Sequence, residues 1–290
     1  MSNENSIDLS KIHIYIYSSR NKHRYYEDYI KSINKILNAT IIFKIDKNID
    51  IMNKNNIIIF VHSFPCVADL GIKLDNINNN LFFLNTEQLT DNSIIEYIKD
   101  ISKDFTIIDY SKENIYIMNN SNIKNTIYFP YIYNPDEIYN FTKTEDICGI
   151  SANNTPRRQN FLKLLYNNNV NINNITGWNR RRDKKLFKYK IILNISAQED
   201  RNIFETMRCN RCLFNKMIII SEEKYKTELI DYANHILFAK LTDIPKLANE
   251  VLSNYEYYYK KLDLDNIDYT LNNHLISKEK LVWNCRNINK

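Results

Sequence analysis

Apolar and polar positions along the chain switch repeatedly between two periods. Ile12 to Tyr17 reads as a strand, Tyr25 to Leu37 carries apolar residues at helical spacing, and Thr40 to Ile45 returns to strand character, which makes a βαβ opening. Ile57 to Val61 and Leu81 to Leu84 are short continuous apolar runs, the signature of strands buried on both faces of a parallel sheet. A helix over Ser93 to Ile101 follows, then strand-like pieces at Phe105 to Ile108, Ile115 to Met118 and Thr126 to Phe129. Pro130 to Thr144 contains Pro130, Pro135 and many polar residues, breaks both periods and reads as a connection.

The second half restarts the alternation. Asp146 to Ser151, Val170 to Thr176, Ile191 to Ile195 and Met217 to Ile220 read as strands, separated by helical stretches at Arg158 to Tyr166, Lys184 to Lys188 and Asn202 to Phe214. Parallel strands need crossover connections, so the pattern predicts an α/β fold class with two Rossmann-like, doubly wound parallel-sheet domains facing a cleft. The expected division is residues 1–143 and 144–290, with helices from Ile244 to Leu262 packing back on one sheet. The tyrosines at 255 and 257–259 read as the wet edge of that packing, or as a stacking surface for bases or sugars.

Composition changes this picture little. Asn, Ile, Lys and Tyr are favoured throughout, so only rare residues carry weight, and the three glycines, Gly71, Gly149 and Gly177, are rare. A formal charge of +5 over 290 residues does not demand a nucleic-acid partner, although it accommodates an acidic ligand. No apolar run reaches the ~20 residues of a membrane span, and the polar start lacks a secretion signal, so a cytoplasmic location is expected. Five scattered cysteines fit reduced thiols; Cys209 and Cys212 share one helix face as core residues, the alternative being metal or redox chemistry.

The chemistry concentrates at strand ends. In the block from Tyr189 to Glu223, a strand runs into a polar loop, a helix and another strand; Asn194, Ser196, Gln198 and Glu199 sit at the carboxyl edge where open α/β sheets bind ligands. Gly149 to Arg158 is a second strand-to-helix loop, in which Gly149 permits close approach, Ser151, Asn153 and Asn154 offer hydrogen bonds, and Arg157 and Arg158 offer charge for a diphosphate. It lacks the glycines of a dinucleotide fingerprint and the ending of a P-loop. Gly177 and Trp178 precede the basic run Arg180 to Lys185 on the same edge, with Trp178 a candidate to stack on a base or a half-buried residue of a solvated turn. In the first half, His62 follows the strand ending at Val61, and Glu87 lies in the loop Asn85 to Gln88; both are candidates for deprotonating a hydroxyl.

Phe204, Glu205 and Arg208, followed by a strand ending Ile220 to Glu222, resemble the donor-binding segment of GT-B glycosyltransferases of the sort found in large DNA viruses and bacterial surface-polysaccharide clusters. The arginine pair after Gly149 and the run Asn85 to Leu89 resemble the same group. The resemblance implies that a nucleotide-diphosphate sugar binds the C-terminal domain and that a glycan or other hydroxyl acceptor and the catalytic base, His62 or Glu87, belong to the N-terminal domain. It also implies that Glu205 holds ribose or sugar hydroxyls, its alternative being a solvated helix acid paired with Arg208. Arg157 or Arg158 and helix N-termini can stabilise the leaving diphosphate, and the one Asp-x-Asp, Asp263 to Asp265, lies in the tail, so activity without a cofactor or metal is expected. Where many GT-B enzymes carry a second Glu and then a Gly, this sequence has Arg211 and Lys216. A non-catalytic module of the same scaffold, binding nucleotide, glycan or RNA, is the alternative reading.

Overall fold

The computed structural model describes residues 9–45, 49, 53, 55–61, 81–131, 134–150, 155–177 and 179–267. His62, Ser151, Asn153 and Trp178 therefore lie outside the described residues. The first sheet contains β1 (His13–Ser18), β2 (Thr40–Ile42), β3 (Asn56–Val61), β4 (Leu81–Asn85), β5 (Thr106–Asp109) and β6 (Thr126–Tyr128) in the spatial order β2-β1-β3-β4-β5-β6, all parallel. Every residue of β3, β4 and β5 is buried, which is why these strands read as unbroken apolar runs.

The crossovers are α1 (Arg20–Leu37), α2 (Asn92–Ile101) and α3 (Lys112–Asn120). Helix α1 stops at Asn38, which adopts a left-handed φ of 50° while its N–H bonds to Asn34 O, a short polar residue doing what glycine usually does. The strand expected at Ile115 to Met118 is instead the body of α3. Ser111 caps this helix by accepting from Asn114 N, and the buried Asn114 and Met118, one turn apart, face the sheet. The parallel pairing of β5 with β6 requires a crossover at this point, so a helix satisfies the topology where local apolar character suggested a strand.

The second sheet is also wholly parallel, with β7 (Glu145–Ile150), β8 (Asn173–Ile175), β9 (Tyr189–Asn194), β10 (Ile218–Glu222) and β11 (Ile236–Ala239) in the order β11-β10-β9-β7-β8. Its helices are α4 (Pro156–Asn167), α5 (Asn179–Leu186) and α6 (Thr206–Phe214), followed by α7 (Ile244–Ser253) and α8 (Tyr255–Lys261). Helix α6 begins four residues later than its apolar pattern suggested, because Ile203 and Phe204 are buried in a bent lead-in and Glu205 takes the cap position. Cys209 and Cys212 are buried free thiols. Helix α7 packs on β9 and β10, so the C-terminal helices cover the second sheet.

The two halves share one hydrophobic core. Tyr131, in the connection between the sheets, stacks on Tyr29 of α1 at 5.6 Å and lies 6.0 Å from Phe214 of α6, while Tyr29 donates to Phe129 O at 2.6 Å. This aromatic column fixes the approach of α1 to α6 and so defines the cleft between the sheets. Among the described residues, no helix is long and apolar enough to cross a membrane.

Candidate active site

In the second sheet the strand order reverses between β7 and β9, the place where open α/β sheets leave a crevice beyond their strand ends. The sequence-derived residues at that edge are tied together. Arg157, in the first turn of α4, donates from Nη1 and Nη2 to Glu222 Oε1 and Oε2 at 2.8 and 2.6 Å, and also reaches Ser196 O at 3.1 Å. These bonds to Glu222 hold the guanidinium above its ordinary proton affinity. Ser196 donates its N–H to the same Glu222 Oε1, and Lys224 donates to Ser196 Oγ and to the carbonyls of Gln198 and Glu199. Arg158 is buried and donates to Ile195 O. Both arginines proposed for a diphosphate thus anchor the loop after β9, and Glu199 is exposed on that loop. Gly149 sits within β7, where a Cβ would lie 3.2 Å from Ile172 Cδ1; its smallness serves strand packing.

Asn194, Glu205 and Arg208 form a second group. Asn194, fully buried at the end of β9, donates to Ser221 Oγ and accepts from Arg208 Nη1 at 3.3 Å. Arg208 Nη2 lies 3.7 Å from Glu205 Oε2, and the Glu205 side chain makes no capping hydrogen bond to α6. Glu205 and Arg208 line a cavity of about 290 Å³ between the two halves. Its opposite wall is the face of α1 carrying Tyr25, Tyr26 and Asp28, and Arg182 of α5 and Arg211 of α6 close one side.

Glu87 stands behind that α1 wall. Its Oε1 accepts from the Tyr26 hydroxyl at 3.2 Å, and burial together with the Glu87 charge pushes the Tyr26 phenol up to about 12. Buried Tyr110, at the end of β5, is raised far above an ordinary phenol by burial first and then by the charges of Asp109, Glu205 and Glu87. The Glu87 and Glu205 charges, from opposite halves of the molecule, thus both act on one buried phenol. Arg211 occupies the place where the resemblance suggested an acid, and it is embedded among Asp28, Glu137 and Asp183. The sequence pattern singles out neither Tyr26 nor Asp28, and Arg211 stands out there only as a departure from the GT-B segment. The signals available for them are helical: residues 25, 26, 28 and 29 share one face of α1, and Arg208 and Arg211 are three apart on α6.

Among the described residues, no cluster of three His, Cys, Asp or Glu side chains has a metal-binding arrangement. Asp265 of the Asp263 to Asp265 pair accepts from the Tyr259 hydroxyl, away from the cavity.

No protein-family profile matches the chain. The chain is 30% identical over 260 residues to uncharacterized protein L140 of Acanthamoeba polyphaga mimivirus, covering 84% of this chain and 81% of that protein. It is 29% identical to uncharacterized protein R358 of the same virus, covering 80% and 85%. Among solved structures, TarM aligns with a TM-score of 0.56 at 14% identity, covering 83% of this chain, which spans 56% of TarM. The DNA-modifying enzyme β-glucosyltransferase, solved with and without its substrate uridine diphosphoglucose, aligns with a TM-score of 0.56 at 13% identity over 95% of this chain and 98% of that one. The T4 phage β-glucosyltransferase with UDP and Mn²⁺ aligns with a TM-score of 0.51 at 12% identity, covering 94% and 97%. The architecture is the GT-B fold of these glycosyltransferases.

Proposed function

We propose that this chain, which belongs to the same family as protein L140 of Acanthamoeba polyphaga mimivirus, transfers a sugar from a nucleotide-diphosphate sugar to a glycan or other hydroxyl acceptor. The observation that carries the reading is the joint placement of Glu205 and Arg208 in a cavity whose other wall leads through Tyr26 to Glu87. Arg208 is the cavity cation with the longest contacts, at 3.3 and 3.7 Å, so it is the natural partner for a diphosphate. Glu205, with its carboxylate uncommitted to the helix cap, accepts from paired ribose or sugar hydroxyls. Glu87, linked to the cavity by the Tyr26 hydroxyl, is the base for the acceptor proton; His62 remains the other candidate base, outside the described residues.

The reading includes a leaving diphosphate stabilised by guanidinium groups, without a divalent metal. UDP-sugars are the first donors to test, since structural neighbours include enzymes solved with uridine diphosphoglucose and with UDP and glucose. The second reading, a non-catalytic binding module, is favoured by the internal neutralisation of Arg157 by Glu222 and of Arg211 by three carboxylates.

Thermal stabilisation across UDP-, GDP-, TDP- and CMP-sugars separates these readings from a site with no nucleotide at all. A donor present at 100 times its Kd stabilises the fold by about 2.7 kcal/mol. That shift is expected for one nucleotide class and is lost in Arg208→Ala and Glu205→Ala. Stabilisation by none of them overturns the donor site; stabilisation without turnover selects the binding module.

A further inference from the structure

Three fully or almost fully buried polar side chains converge on the backbone around Glu87. Asp109 ends β5, Asn85 ends β4 and Asn114 lies in the first turn of α3; they are 0%, 1% and 0% exposed. Asp109 Oδ2 accepts from Asn85 Nδ2 at 2.6 Å and from Asn114 Nδ2 at 3.0 Å, and Asp109 Oδ1 accepts from Ser111 N at 2.7 Å. In its ionised form the Asp109 carboxyl is acceptor-only, so it then decides which end of each neighbouring amide faces it. With both amide nitrogens turned toward Asp109, the oxygens point outward: Asn85 Oδ1 accepts from Glu87 N at 3.1 Å, and Asn114 Oδ1 accepts from Leu89 N at 3.0 Å. The same two amide nitrogens also donate to Glu87 O, each at 2.9 Å.

The Glu87 peptide is thus held at its N–H and its carbonyl, and the segment is pinned again two residues later. A loop needs no such brace to close a turn, and burying three polar side chains costs stability unless each is fully bonded. What the brace fixes is the one residue of the loop whose carboxylate meets the α1 wall of the cavity, through Tyr26.

We propose that Asp109 is a positioning residue for sugar transfer: by orienting the Asn85 and Asn114 amides it holds the Glu87 carboxylate against the hydroxyl of Tyr26, which lines the cavity. The inference rests on the transferase reading above. Asp109→Asn keeps the shape but sets an NH₂ group against the Asn85 and Asn114 amide nitrogens in one orientation or against Ser111 N–H in the other, so the brace loses at least one bond and its hold on Glu87 N–H and Leu89 N–H weakens.

The test uses the full chain and three readouts on Asp109→Asn and on Asn114→Ala, the second variant placing a good helix former in α3 in case the first does not fold. Amide hydrogen exchange at Glu87 and Leu89 is expected to accelerate about ten-fold or more for a released bond. The rate constant kcat for sugar transfer from the donor found by thermal shift falls about 10²-fold, the scale of a small misplacement of a reacting group. The donor KM stays within about two-fold, and kcat is referred to the folded fraction read by thermal unfolding of each variant, so that the loss is one of turnover and not of folded protein. Unchanged exchange, unchanged kcat, or a loss of donor affinity matching the loss of kcat overturns the proposal. Turnover in the unsubstituted protein with an unaffected variant sinks this proposal alone, whereas absence of turnover in the unsubstituted protein sinks the transferase reading and this proposal with it.

Discussion

Arg211 of α6 places Nη1 2.9 Å from Asp28 Oδ2 of α1, an ion pair that joins the helices of one sheet to those of the other. The same guanidinium donates to both carboxylate oxygens of Asp183, at 3.2 and 2.8 Å, and to Glu137 Oε2 at 3.2 Å. Burial pushes Asp183 upward, but the Arg211 hydrogen bonds and the Arg211 and Arg182 charges outweigh it and hold the carboxyl below its ordinary range. Burial wins at Glu137, which is raised despite Arg211. Across the molecule, Lys112 of α3 and Tyr128 of β6 both bond to Asp231 of the second half, so the two halves are joined by polar contacts on two sides.

Removing Arg211 therefore strands buried carboxylates. Arg211→Met is expected to cost about 3–5 kcal/mol, the usual penalty for leaving one partner of a buried pair uncompensated. Asp28 is partly exposed, and Asp28→Asn is expected to cost about 1 kcal/mol or less. Urea unfolding of the two variants checks the contrast; equal losses mean that the network does not depend on Arg211.

Arg157 and Glu222 follow the same logic at the sheet edge. Arg157→Ala leaves Glu222 buried against Ser196 N–H alone among these two partners, and a loss of about 3 kcal/mol is expected. Adding Glu222→Gln to Arg157→Ala is expected to recover part of it. A double-mutant cycle on unfolding free energies reads the coupling, and additive losses contradict the pairing. A binding defect in Arg157→Ala alone is consequently no measure of phosphate contact.

Asp109 gives a pH signature. Burial pushes its carboxyl up to about 7, against hydrogen bonds from Asn85, Ser111, Asn114 and the Tyr110 N–H; the Tyr29 and Tyr110 side chains also lie within its electrostatic reach. Because the folded pKa exceeds the unfolded one, the folded chain holds a proton that the unfolded chain releases between pH about 4 and 7. Stability from this group is present at the acid end of that window and is lost as pH rises through it. Asp183, with a lowered pKa, acts in the opposite sense and loses its contribution as pH falls. Unfolding free energies from pH 4.5 to 7.5 are expected to show a smaller decline in Asp109→Asn than in the unsubstituted chain; identical profiles contradict the buried acid.

Metal independence has a direct check. Transfer measured after exhaustive treatment with EDTA is expected to equal the untreated rate. A loss restored by Mn²⁺ or Mg²⁺ means that a cation, and not Arg208 alone, balances the diphosphate.

The order of strands and helices was legible because buried parallel strands write themselves as apolar runs, as at Ile57 to Val61 and Leu81 to Leu84. Ile115 to Met118 misled because four residues of mixed apolar character carry too little period to separate a strand from one turn of helix, and the deciding fact, the β5 to β6 crossover, is a property of the topology. Asn194 could be picked out because strand ends mark the ligand edge of such sheets, and Glu205 and Arg208 because their segment resembles the donor-binding part of GT-B glycosyltransferases. The parts played by Arg157, Arg211 and Asp28 could not, since each depends on a partner 65, 28 or 154 residues away in the chain. Asp109 and Asn114 are ordinary polar residues in sequence, and only their burial together reveals the brace.

The most direct measurement is release of nucleoside diphosphate from the donor identified by thermal shift, followed with and without hydroxyl acceptors in the unsubstituted chain, Arg208→Ala and Glu87→Gln. Release above background is expected, falling about 10²-fold in Glu87→Gln and at least as far in Arg208→Ala. Donor binding with no release under any acceptor, or release indifferent to both substitutions, places the chemistry elsewhere or denies it altogether.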